Sequence, residues 1–77
     1  MKRKSMFPDE KTVERVRREY PVGTRVRLIE MPEEPYPLPK GALGTVIGVD
    51  DTAALLMKWD CGRSISVIFG VDRVEKI

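Results

Sequence analysis

The chain contains no histidine and a single cysteine, Cys61. Those two shortages exclude a Cys/His zinc site, a Ser-His-Asp or Cys-His nucleophile, and any internal disulfide. Long apolar runs are missing too: charged residues make up 34% of the chain and interrupt its hydrophobic stretches, so no membrane span is expected. The opening Met1-Lys2-Arg3-Lys4-Ser5-Met6-Phe7-Pro8 begins with positive charge as a secretory signal does, but no apolar run follows it and it does not read as an export signal. An unpaired thiol fits a reducing compartment, so a cytoplasmic location is expected. A chain of 77 residues buries only about 60% of its unfolded surface, which leaves little room for a deep enclosed active site. A hydrophobic content of 42% is nevertheless too high for a disordered chain. The expectation is one small globular domain that is not an enzyme and has no catalytic residue, cofactor or small-molecule substrate.

What charge there is lies unevenly. Residues 1 to 30 carry nine Lys/Arg against five Asp/Glu, and residues 31 to 77 carry five against seven, within a total of +2. The front of the chain is basic and the rear acidic. Asp50, Asp51, Asp60 and Asp72 lack the spacing of a calcium loop, and three of them fall where hairpin turns use Asp for local backbone bonding, so no metal site is expected.

From Asp9 to Glu19 the apolar positions Val13 and Val16, continued by Tyr20, follow the stripe of an amphipathic helix. Asp9 stands where an N-cap is wanted, and Pro21 disfavours helical geometry at Tyr20. So short a helix is marginal alone and must lay that stripe against the rest of the domain. Arg25-Val26-Arg27-Leu28 alternates in the manner of a strand with Val26 and Leu28 facing inward. The segment from Met31 to Lys40 holds four of the six prolines and reads as a stiff loop. Thr45 to Val49, Ala54 to Trp59 and Ser64 to Ile68 read as further strands. The first of these ends at the turn-prone Asp50-Asp51, and the other two are joined by the turn Asp60-Cys61-Gly62-Arg63. One helical turn and a closing strand are read between Gly70 and Ile77. Gly23 and Gly62 suit turns, whereas Gly44 and Gly48 within a β-branched run point to a bulge or a close approach. Trp59, on one face with Leu55 and Met57, is expected to anchor the core. The pattern predicts a mostly-β fold: a small five-stranded antiparallel barrel with one N-terminal α-helix. The expected organisation is a basic, flexible leader at 1–8, the helix packed on the barrel at 9–19, and the barrel at 20–77.

The run Tyr20-Pro-Val-Gly23-Thr-Arg-Val-Arg-Leu28, then Pro39-Lys-Gly41-Ala-Leu-Gly44-Thr-Val-Ile-Gly48-Val-Asp-Asp51, Lys58-Trp-Asp-Cys-Gly62 and Gly70-Val-Asp72 resembles a family of small bacterial and phage-associated domains of unknown function. The resemblance spans roughly Tyr20 to Ile77. It implies an SH3-like barrel, and the Gly-x-x-Gly-Thr-Val core is similar to the KOW modules of ribosomal and transcription proteins. Cys61 departs from the turn-former, such as Asn, that the resemblance implies.

Two surfaces are candidates for function. Lys2, Arg3, Lys4, Arg15, Arg17, Arg18, Arg25 and Arg27 would form a phosphate-binding stripe if the helix and first strand lie side by side, and nucleic acid or a nucleoprotein would be the partner. Against this, Arg15 and Arg18 alternate with Glu14 and Glu19 at spacings that form pairs within a helix. The other candidate is the proline-rich loop together with the barrel groove it borders, with Tyr36 and Leu38 as contacts in a protein-interaction adaptor from a phage or mobile element that binds a host complex. The bland alternative folds Tyr36 and Leu38 back over one end of the barrel.

Overall fold

The computed structural model describes residues 9–77. The basic leader with Lys2, Arg3 and Lys4 lies outside the described residues.

Helix α1 spans Glu10–Glu19 and begins as its sequence demands: Asp9 is extended, and its carboxylate accepts the Thr12 backbone N–H at 2.9 Å. At the other end Tyr20 leaves helical geometry, although its N–H still donates to the Val16 carbonyl. Val13 and Val16 are buried and Tyr20 is partly so, which places the apolar stripe on the core.

Four strands follow: β1 at Arg25–Glu30, β2 at Leu43–Val49, β3 at Leu55–Trp59 and β4 at Arg73–Lys76. They form one antiparallel sheet in the order β3-β2-β1-β4. The predicted alternation is realised on its inner face, where Val26 and Leu28 of β1, Val46 of β2, and Leu55, Met57 and Trp59 of β3 are all buried. Trp59, at 1% exposure, is the largest of them. Its indole Nε1 donates to the Ile65 carbonyl at 2.8 Å, which satisfies the one polar group the ring takes inside.

The two strand glycines have different causes. Gly44 pairs with Trp59 in the β2–β3 ladder, and a β-carbon on it would stand 2.6 Å from the indole Cε3; the close approach is to a side chain. At Gly48 the ladder shifts register relative to Val46, leaving Ile47 exposed between them.

Five strands closing into a barrel are not what the structure contains. Among the described residues there are four strands in an open sheet, and the Ser64 to Ile68 run contributes only an isolated bridge, in which Val67 and Leu55 exchange both backbone bonds at 3.0 Å. The reason is local competition for backbone groups. The Ile65 carbonyl is taken by the Trp59 indole, and the Ile68 N–H by the Asp72 carboxylate at 2.8 Å. Val71 and Asp72 then donate back to the Ile68 carbonyl, which turns the chain over Gly70 toward β4.

Candidate interaction surfaces

The basic residues singled out by the sequence do not form one ridge. Arg25 grips Asp60 with both terminal nitrogens at 2.8 Å and also donates to the Thr45 hydroxyl. Arg27 pairs with Glu75, its direct partner in the β1–β4 ladder, at 2.8 Å. Arg17 bonds the Val49 carbonyl through Nε and Nη2 and approaches Asp51 at 3.6 Å. These three guanidinium groups tie the first strand and the helix to their neighbours. Arg15 and Arg18 are exposed on α1 and make no ion pair or side-chain hydrogen bond among the described residues. Lys2, Arg3 and Lys4 precede Asp9, so residues 9–77 hold eleven of the fourteen Lys/Arg and all twelve acids, a net charge of −1.

The carboxylates take part in the same stitching. Asp60 is held below its ordinary pKa, first by the hydrogen bonds from Arg25, and Arg25 is correspondingly raised by Asp60. Asp50 is lowered chiefly by the Thr52 hydroxyl, with the Thr52 and Ala54 backbone N–H groups adding to it. Asp9 is lowered by its capping bond from the Thr12 N–H. Each of these shifts belongs to a turn, a cap or a cross-link. Among the described residues no group of three or more His, Cys, Asp or Glu is placed to hold a metal ion. None of the described helices is long and apolar enough to cross a membrane.

The proline-rich loop divides the two residues picked out together. Leu38 is 5% exposed and belongs to the core, whereas Tyr36 is 76% exposed. The loop is pinned on both sides of Tyr36: Met31 and Leu38 are buried, and Arg63 Nη1 donates to the Tyr36 carbonyl at 2.8 Å. Beyond Leu38, Gly41 donates to the Leu28 carbonyl and Leu28 to the Ala42 carbonyl, fastening the loop to β1. Just before Tyr36, Glu33 is exposed, and Glu34 is half-buried with its carboxylate accepting the Tyr36 N–H at 3.5 Å.

A concavity elsewhere on the surface escaped the sequence reading. Between α1 and the segment after Val67 runs a groove of about 290 Å³ floored by Val16, Leu55 and Val67. Arg15 and Glu19 line its helical side, and Ile68 and Phe69 the other, with 48% and 43% of their surface exposed. None of its lining residues comes from the 31–40 loop, so groove and Tyr36 are separate features. The available signal was the Ile68-Phe69 pair directly ahead of Gly70, more apolar surface than a strand end needs.

Fold and surface together define a small, mostly-β domain with one docked helix, an exposed aromatic on an anchored loop, and an apolar groove. The chain belongs to the DUF4314 family, a domain of unknown function, whose model matches residues 9–77 and so takes in the helix as well as the sheet. No curated protein and no solved structure matches the chain.

Proposed function

We propose that the domain is a non-enzymatic protein-interaction module that recognises its partner through Tyr36. The observation that carries this is an aromatic exposed at 76% on a loop anchored at both ends. A loop already held in place loses little entropy on docking, and tyrosine offers a large, stiff contact area with a polar tip. Glu33 and Glu34 beside it favour a partner that sets basic residues around an apolar pocket.

The strand order, with the Val67 segment beside β3 and a turn leading into β4, supports an SH3-like framework, and the Gly-Thr-Val and Trp-Asp motifs support kinship with KOW-type modules. The same resemblance supports a bacterial or phage setting, and the lone thiol a cytoplasmic one. Association with nucleic acid draws less support. Arg17, Arg25 and Arg27 are engaged with acids, and residues 9–77 are net negative.

Affinity capture with three baits tests the proposal: the wild type, Tyr36→Ala, and a variant with Lys2, Arg3, Lys4 and Arg18 reversed to Glu. Each is run with and without nuclease. The expected result is a protein retained by the wild type and the charge-reversed bait, lost with Tyr36→Ala, and indifferent to nuclease. Retention that vanishes with nuclease and with charge reversal, but survives Tyr36→Ala, would overturn this reading in favour of nucleic acid.

A further inference from the structure

The groove between α1 and the Ile68–Val74 segment stands apart from the Tyr36 loop and calls for its own occupant. Its volume of about 290 Å³ lies at the lower limit for drug-sized ligands, and its open apolar floor suits one or two side chains better than a small molecule. Two further features say what the occupant must carry. Arg17, Arg25, Arg27 and Arg73 each pair with a carboxylate. Arg15 and Glu19, on the helical lip of the groove, have no ion pair and no side-chain hydrogen bond among the described residues. They are four residues apart with the cation on the N-terminal side, the less favourable order for pairing within a helix. The opposite lip exposes Ile68 and Phe69.

This one face therefore holds an apolar hole, an apolar knob and, among the described residues, an unpaired cation and an unpaired anion, while the charged Asp72 and Arg73 that also line it are engaged with the Ile68 N–H and with Glu30. A two-fold interface uses the same patch on both subunits, so it needs a surface that carries both members of each complementary pair, as this one does. We infer that a second copy of this chain occupies the groove. The two α1 helices run antiparallel, Arg15 of each copy meets Glu19 of the other, and Ile68 and Phe69 of each enter the other's groove. A charge of +2 per chain offers little long-range repulsion to this association.

Light scattering and sedimentation from micromolar to millimolar concentration test the inference, with thermal melts checking that each variant is folded. The wild type is expected to dimerise reversibly. Arg15→Glu places Glu against Glu at both symmetric contacts and Glu19→Arg places Arg against Arg, so each should raise the dimer Kd by at least about tenfold. The two single variants, mixed, should form a heterodimer, because every contact is again between opposite charges, and the double variant should dimerise as the wild type does. Phe69→Ser should weaken association in every background. Tyr36→Ala should leave it unchanged, which keeps this result independent of the proposed function. A wild type that stays monomeric to millimolar concentration overturns the inference. So does a dimer indifferent to the charge reversals or to Phe69→Ser, a mixture that fails to associate, or a dimer lost with Tyr36→Ala.

Discussion

Gly44 and Trp59 face each other in the β2–β3 ladder, and the ring occupies the space a side chain at 44 would need. Gly44→Ala must displace a buried indole and should cost about 1–3 kcal/mol in urea denaturation, the range of core overpacking. Gly48→Ala is the control: its β-carbon would meet Leu56 at an ordinary 3.5 Å, and no comparable loss is expected. Equal losses at both positions would mean that strand flexibility, not the indole, selects glycine. Trp59→Ala should cost about 3–5 kcal/mol, enough to remove cooperative unfolding from a domain this small. A sharp melt near the wild-type temperature would contradict the central place of the ring. The inward setting of Trp59, Met57 and Leu55 was legible because a strand alternates with period two. What could not be read was the fate of Tyr36 and Leu38. Two apolar residues within one stiff loop look equivalent until the anchoring of the loop turns one into the core and the other out.

At the scale of elements, helix α1 was legible to within a residue, because its cap, its stripe and its terminating proline all agree. The Ser64–Ile68 run has sound strand composition and still fails to extend beyond one bridge. Two of its backbone groups bond the Trp59 and Asp72 side chains, and such side-chain competition leaves no periodic trace. The β2–β3 connection offers a test by pH. Asp50 accepts the Thr52 hydroxyl and the Thr52 and Ala54 N–H groups, and its pKa is lowered from 3.8. A carboxylate depressed in the folded state contributes its full stabilisation above the unfolded value and loses it as pH falls through the folded one. Stability should therefore decline below about pH 3.8. Asp9 and Asp60, lowered in the same direction, add to that decline. Asp50→Asn should lower the melting temperature near neutrality and make the acid limb shallower without abolishing it. An acid limb as steep as that of the wild type would remove Asp50 from the account.

For the molecule as a whole, the front and rear of the sequence close on each other rather than separate into two faces, three of the four ion pairs joining a front arginine to a rear carboxylate and one running the other way. Arg25 in β1 reaches Asp60 beyond β3, Arg27 reaches Glu75 in β4, Arg73 in β4 reaches Glu30, and Arg17 of the helix reaches Asp51. Charge counts along a chain do not show such pairing, which depends on strand order. Exposed ion pairs contribute little unless their geometry is good, so these four should not be equal. Arg25 has the best arrangement, two charge-assisted bonds at 2.8 Å and a third to Thr45, whereas Arg73 meets Glu30 at 3.4 Å with 70% of its side chain exposed. Arg25→Ala should lower the melting temperature measurably, while Arg73→Ala should leave it almost unchanged. In a cycle with Asp60→Asn, the double variant should lose less than the sum of the singles, and high salt should shrink the difference. Strict additivity at low salt would show that Arg25 is not a cross-link. Its guanidinium would then be free to meet an external anion, and the first strand would again be a candidate surface for nucleic acid.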